Sequence, residues 1–358
     1  MAQQHFLLSA AARTLSVREV FALSDEAAFE LFRELRWGKG EDVVCPSCGV
    51  VERHWFLPSR RQWRCKACAH TFSVTSGTIF AHHKLPFFND TAATEIYTNA
   101  VKGLSALQMG RDLGVQYKSA FVLMHKLRES LIVQREETPL SGEVEIDGAY
   151  VGGHVRPQNK KEDRLDRRLA ENQSPDKRCI LVMRENQPEE DEVASAPGGA
   201  RRTLSFVFGR ENQADVGALA QRFIAPGTCI SADECDAYDL LHGQFPMRRV
   251  NHSREYRAED GTNNNQAESY FSRFRRMEIG QTHKFGLRYL ANYANEAAYR
   301  EDTRRQTNGE IFRDILLKCL DTRTHRDWCG YWQGNKRLQE RLAYKGRPPG
   351  SAGEAVGV

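Results

Sequence analysis

At 358 residues, 40% of them hydrophobic and 27% charged, the chain has the composition of a soluble globular protein and the length of two or three domains. Lys and Arg outnumber Asp and Glu by only 51 to 47, a net charge of +4, so any nucleic-acid contact has to come from local basic clusters. No apolar run approaches the ~18–20 residues of a membrane span, and the opening MAQQHFLLSAAARTL lacks a charged segment ahead of a long apolar core, which points to a cytoplasmic protein with no membrane partner.

Residues 1–40 read as an N-terminal helical segment. Ser24 is placed to cap a helix whose apolar residues Phe29, Leu31, Phe32, Leu35 and Trp37 recur at three-to-four spacing, and Gly38 and Gly40 stop it. Residues 41–85 carry short β-like runs, His54–Leu57, Gln62–Arg64 and Thr71–Val74, around two cysteine pairs. The pairs read C-P-S-C, sixteen residues, C-K-A-C, which places Cys45, Cys48, Cys65 and Cys68 at the spacing of a tetrahedral zinc ribbon. A segment this short makes little core of its own, so a structural Zn²⁺ would supply much of its stability. A disulfide pair or four buried thiols are the plainer alternatives. Arg53, Arg60, Arg61, Arg64 and Lys66, interleaved with Trp55, Phe56 and Trp63, give the ribbon a basic, aromatic surface suited to nucleic acid. The other five cysteines, Cys179, Cys229, Cys235, Cys319 and Cys329, are scattered and read as reduced thiols.

Residues 86–135 return to helix over Phe88–Val101, Ser105–Leu113 and Lys118–Val133. Ser105 and Gln108 have the form of a capping box, and Gly114 sits in a short turn before the next helix. This fits a DNA-reading helix-turn-helix, with Lys118, Ser119, Lys126 and Arg128 as its polar contacts; a plain helical hairpin is the alternative.

Residues 142–305 alternate strand and helix: Glu143–Val151, Arg178–Met183 and Thr203–Phe208 as strands, Ala214–Phe223 as helix, Thr228–Ser231 as strand. Two polar insertions, His154–Lys177 and Arg184–Arg202, read as loops or partly disordered segments. Asp147 stands inside the first, apolar strand, where an ionised carboxylate is costly unless it is paired or binds a metal. Asp233 follows the fourth strand at its C-terminal edge, where sites in α/β sheets gather. Glu268 lies on an amphipathic helix, Asn265–Arg276, whose apolar side is Ala267, Tyr270, Phe271 and Phe274. Acids on the first strand, the fourth strand and the last helix follow the ribonuclease-H-like order. Three convergent carboxylates repel one another unless cations neutralise them, and two Mg²⁺ or Mn²⁺ ions would clamp the oxygens of a phosphodiester. A helix over Phe285–Ala298, a C-terminal helical region over 306–345 and a disordered tail over 346–358 complete a multidomain α+β chain with a mixed catalytic sheet.

The ordered set resembles the zinc-ribbon DDE transposases of bacterial insertion sequences, the insertion-sequence-1595 family with its ISXO-like transposase domain. The matching text is C-P-S-C, W-R-C-K-A-C and F-S-V-T-S-G-T-I-F, then E-I-D-G-A-Y-V-G-G, S-A-D-E-C-D-A-Y, V-N-H-S-R-E-Y and T-N-N-N-Q-A-E-S-Y-F-S-R-F-R-R, across residues 20–305. The resemblance implies that Asp147 and Asp233 are the first two catalytic acids and that Glu268, 35 residues after Asp233, is the third. It places Arg275 where the family carries a lysine, and it includes His252 and His283, which otherwise read as structural or surface histidines. Asn265, one turn before Glu268, is the alternative third ligand; a carboxylate binds Mg²⁺ better than an amide, which favours Glu268. Met277 and Glu278 stand where the family carries a glycine-containing turn. Arg273, Arg275, Arg276 and Arg288 make the surroundings of the catalytic helix one basic wall of a DNA channel.

The resemblance implies a nucleoid-associated transposase that binds the terminal inverted repeats of its element and target DNA, as a homo-oligomer of at least two copies. A domesticated, non-catalytic zinc-ribbon regulator and a ribonuclease-H-like structure-specific nuclease are the competing functions. An RNA-polymerase-type zinc ribbon leaves residues 142–305 unexplained.

Overall fold

The structure, a computed structural model, describes residues 6–40, 42–82, 84–153, 157–166, 169, 172, 174–186, 199–250, 264–329 and 340–343. The chain divides into two units, one formed by residues 1–135 with 303–338, the other by 136–302 with 339–358. His252, parts of the first polar insertion, most of the second and the tail over 346–358 lie outside the described residues. No described helix is long and apolar enough to cross a membrane.

The first unit opens with α1 (Val17–Phe21), closed by a full capping box between Ser16 and Glu19, and α2 (Asp25–Trp37). Ser24 caps α2 by accepting the Ala27 N–H at 3.2 Å, and Gly38 ends it at φ +81°. The ribbon is a three-stranded antiparallel sheet of β1 (His54–Leu57), β2 (Gln62–Cys65) and β3 (Thr71–Ser73) in that spatial order. Its centre, Trp63, stacks on Phe29 of α2 with ring centres 5.8 Å apart and meets Trp37 edge-on at 5.1 Å. Arg61 pairs with Asp25 and Glu26, the acidic first turn of α2. One of the ribbon's cations therefore holds the fold together.

Three helices follow, α3 (Phe87–Asn99), α4 (Ala106–Leu113) and α5 (Tyr117–Val133), and the unit is completed from the far end of the sequence by α9 (Asn308–Asp321). Thr307 and Glu310 form a capping box at its start, and Asn308 Oδ1 accepts the backbone N–H groups of Thr14 and Leu15 at 2.8 and 3.0 Å. The Ser130 hydroxyl of α5 lies 3.2 Å from the Cys319 sulfur of α9. Just beyond, the Trp328 indole donates to Glu129 at 3.1 Å and stacks on His125 at 4.9 Å.

The second unit is built on a five-stranded mixed sheet: β4 (Glu143–Val151), β5 (Arg178–Asn186), β6 (Ala200–Phe208), β7 (Cys229–Asp233) and β8 (Met247–Val250), in the spatial order β6-β5-β4-β7-β8. The first three pair antiparallel, while β7 runs parallel to β4 and β8 parallel to β7. Alternation along β4 sends Val144 and Ile146 into a core with Val216, Leu219 and Phe223 of α6 (Gln213–Phe223). Ala149 and Val151 face the opposite core, made with Tyr270 and Phe274 of α7 (Asn265–Met277) and Ala294 of α8 (Leu290–Asp302). This is the ribonuclease-H-like order, a sheet covered by helix on both faces.

Several boundaries differ from the sequence-based expectation. β5 and β6 run longer because they pair with each other out to Asn186 and Ala200 across a register irregularity. β8 had no sequence signal. At Met277 and Glu278, α7 passes into a π-helical turn, Glu278–Thr282. The expected helix from Phe285 starts instead at Leu290, after a single 3-10 turn.

Candidate functional site

In the ribbon, the sulfurs of Cys45, Cys48, Cys65 and Cys68 all lie within 4.8 Å of one another, the one such group of three or more metal-binding side chains among the described residues. Two similar turns bring them together. Gly49 N–H returns to Cys45 O at 2.9 Å and Ala69 N–H to Cys65 O at 3.0 Å, with left-handed backbones of φ +72° and +58° at Gly49 and Ala69. The crowded sulfurs divide their protons unequally: a backbone N–H from Cys68 draws the Cys65 thiol down, while, against a backbone N–H from Val50, hydrogen bonds from neighbouring cysteines push the Cys48 thiol up. Four convergent sulfurs supply the complete tetrahedral donor set of structural zinc.

The second unit gathers the carboxylates. β4 and β7 pair Ile146 with Ala232, and one residue further on each strand stand Asp147 and Asp233. The Gly148 N–H donates to Asp147 Oδ1 at 2.8 Å, and the Cys235 N–H donates to Asp233 Oδ1 at 3.0 Å. Arg249 of β8 steadies the end of β7, donating to Asp233 O at 2.7 Å and to the Asp239 carboxylate. Glu268 is exposed in the first turn of α7, and Asn264, just ahead of that helix, donates to Ile146 O at 3.3 Å. Burial, followed by the negative charges of Asp233, Glu211 and Glu268, pushes the Asp147 carboxyl up to about 7. Like charges that hold a proton on a carboxyl are relieved by a divalent cation, and hard carboxylate oxygens fit Mg²⁺ or Mn²⁺. The three acids are close enough to perturb Asp147 without meeting the 4.8 Å mutual spacing of the cysteine group.

Sequence reasoning missed Glu211. It lies between β6 and α6, and its carboxylate stands against the Cα of Gly148. The Tyr238 hydroxyl donates to Glu211 Oε1, and burial raises the Glu211 carboxyl. No motif marks Glu211 itself. The available signal was Gly148, a glycine inside a strand and directly after the first acid, which indicates close approach by another group.

The expected DNA contacts are divided. Lys118 is exposed and Ser119 half-buried at the start of α5, and Gly114 makes the preceding turn at φ +65°. Lys126 is not at a surface. It is 4% exposed, its ammonium reaches Ala81 O at 3.4 Å, and burial lowers its pKa; Arg128 is likewise buried. Both lie on the part of α5 that packs among α3 and α9, so they are core residues of the first unit. The capping box expected at Ser105 is a single cap: Ser105 accepts the Gln108 N–H at 3.1 Å, but the Gln108 side chain turns to Asp112. Arg275 and Arg276 are exposed on α7, as are Asn265 at its first position and His283, which has a left-handed backbone of φ +62°.

Residues 139–302 match the ISXO2-like transposase domain family, and residues 23–71 match the transposase zinc-ribbon domain family. A relative described as "Uncharacterized protein in transposable element ISH50", from Halobacterium salinarum, is 26% identical over 230 residues, which cover 62% of this chain and 75% of that protein. No solved structure matches the chain.

Proposed function

We propose, from a chain that carries both the ISXO2-like transposase domain and the transposase zinc-ribbon domain, that the protein is the DNA transposase of an insertion sequence and cuts and joins DNA at Asp147, Asp233 and Glu268. The observation that supports this reading best is electrostatic. Asp147 in the middle of β4 lies near enough to Asp233 at the end of β7 and Glu268 in the first turn of α7 for both charges to raise its carboxyl, after burial. A fold that brings three unneutralised carboxylates together is suited to divalent cations.

Asp147 and Asp233 would hold Mg²⁺ or Mn²⁺, with Glu268 completing the set; Asn265 is the weaker donor. When bound, two such cations neutralise the phosphodiester and ease deprotonation of the attacking oxygen. Water attacks phosphorus at the transposon end, the bond to the 3′ oxygen breaks, and a 3′-hydroxyl remains. That hydroxyl then attacks a target phosphodiester in line and displaces the target 3′ oxygen, so one bond forms for each that breaks. Arg275 and Arg276 would hold the phosphate backbone beside this chemistry. Lys118 and Ser119, with the zinc ribbon, would read the terminal repeats. Bringing two element ends together calls for at least two copies of the chain on DNA, at the bacterial nucleoid.

The test is cleavage and joining of DNA that carries the element's own ends, in Mg²⁺, by the full chain and by Asp233→Ala. Metal-dependent joining that the substitution abolishes is the expected result. End binding without cleavage in any divalent metal would replace this reading with a DNA-binding regulator. Cleavage of branched DNA without joining would replace it with a structure-specific nuclease.

A further inference from the structure

A second acid on β4 does something the cation-binding reading leaves unused. Glu145 lies two residues before Asp147, so strand alternation puts both on the side of β4 that α7 covers. Glu145 is 2% exposed. Its Oε2 accepts the backbone N–H of Gln266 at 2.7 Å and that of Ala267 at 3.0 Å, and its Oε1 accepts the Asn186 side-chain amide at 3.2 Å. The first N–H groups of any helix have no partner within the helix and normally bond to the side chain just ahead of it. Here that side chain, Asn264, makes no cap among the described residues and bonds across to Ile146 O instead. The cap of α7 therefore comes from a strand more than a hundred residues earlier in the sequence. Arg184 of β5, fully buried, adds the opposite polarity: it donates to the carbonyl of Gln266 and to Thr203 Oγ1.

The two capped residues immediately precede Glu268. We propose that Glu145 is a positioning residue: by capping α7 from β4, it fixes Glu268 against Asp147 and so sets the geometry in which the two carboxylates share their cations. The inference rests on the proposed function. It assigns Glu145 no contact with DNA or metal. A displacement of about 1 Å at a reacting centre costs on the order of 100-fold in rate, so a cap that keeps one acid in register with the other acts directly on the chemistry.

The experiment compares the full-length wild type with Glu145→Ala, Glu145→Gln and Glu145→Asp. Mn²⁺ binding is read by calorimetry without DNA, and the Mn²⁺ dependence of end cleavage is read alongside thermal unfolding. Glu145→Ala should need at least tenfold more Mn²⁺ for half-maximal binding and for cleavage. Glu145→Gln keeps an acceptor oxygen at the same reach and should stay within about threefold of wild type. Glu145→Asp keeps the charge but falls short of the two N–H groups, so it should resemble alanine, and it decides the matter if Glu145→Ala does not fold. Folded Ala or Asp variants with the wild-type Mn²⁺ requirement overturn the positioning role alone. A wild type that binds no Mn²⁺ in a manner sensitive to Asp147→Ala overturns the metal-site reading as well.

Discussion

Gly148 and Glu211 share one space: a Cβ added at Gly148 would overlap Oε1 of Glu211 and lie 2.7 Å from its Cδ. The backbone at Gly148 is not left-handed, so it is room for the opposing carboxylate, rather than conformation, that requires glycine there. Glycine inside a strand is unfavourable in itself. It is placed where it lets a fourth negative charge stand beside Asp147, held by the Tyr238 hydroxyl.

Gly148→Ala should therefore destabilise the second unit by about 1–3 kcal/mol through overpacking. Adding Glu211→Ala should restore most of the loss, because the clash then has no second party. Thermal unfolding of the two single variants and the double variant measures this. Strictly additive losses would show that the two positions do not meet.

The ribbon should carry one zinc per chain, measured by atomic emission. Cys48→Ser or Cys65→Ser should bring the content close to zero, since a structural site needs all four thiolates. Trp63 reports the consequence because its ring packs on Phe29 and Trp37. Chelation should shift its fluorescence, and restoring zinc should return it. A chain that keeps its tryptophan signal without zinc would contradict a metal-dependent ribbon.

Lys118 and Lys126 should behave differently although both are lysines of one helix. Lys118→Ala should weaken binding to the element's ends and flatten the dependence of affinity on salt by roughly one phosphate contact. Lys126→Met, which keeps the bulk of a buried side chain without its charge, should leave that salt slope unchanged and act through stability alone. Fluorescence anisotropy across a salt series separates the two.

Glu95 supplies a pH signature in the first unit. It is fully buried on α3, its Oε2 has no hydrogen-bond partner among the described residues, and burial, opposed by the Asn99 side chain, raises its carboxyl to about 7. In the unfolded chain the same group titrates near ~4.3. Between those values the folded state keeps a proton that the unfolded state has lost, so stability should fall as pH rises from about 4 to 7 and level off above. Glu95→Gln, which mimics the protonated form, should flatten this part of the stability curve. An unchanged slope in chemical denaturation would assign the effect elsewhere.

The strand that carries Asp147 was legible to the residue, Glu143–Val151, because a β-prone run with Val144, Ile146, Tyr150 and Val151 is bounded by Gly142 and Gly152. β8 was not, because Met-Arg-Arg-Val offers no apolar alternation and its one strand neighbour is β7, at the edge of the sheet. The acids could be picked out by their place in the order of strands and helices. Glu211 could not, since it belongs to a loop and gains its meaning only when that loop folds over Gly148. Lys126 shows the limit from the other direction. Its charge marks it as a surface residue, but α9, nearly two hundred residues later, covers the helix that bears it. Local pattern reports what a segment prefers; it carries nothing about which distant segment arrives to bury it.

The first unit leaves the sequence at residue 135 and resumes at 303, which has a consequence for how the chain is made. A ribosome completes the whole five-stranded sheet before α9 emerges. Until then Ser130 lacks Cys319, and Glu129 and His125 lack Trp328. A product cut short during translation thus lacks the part of the first unit that packs on α5. On the proposed function, a copy interrupted before α9 would lack part of the unit that carries Lys118 and Ser119 and would compete poorly for the element's ends, whereas a copy with that unit complete would also carry the catalytic segment.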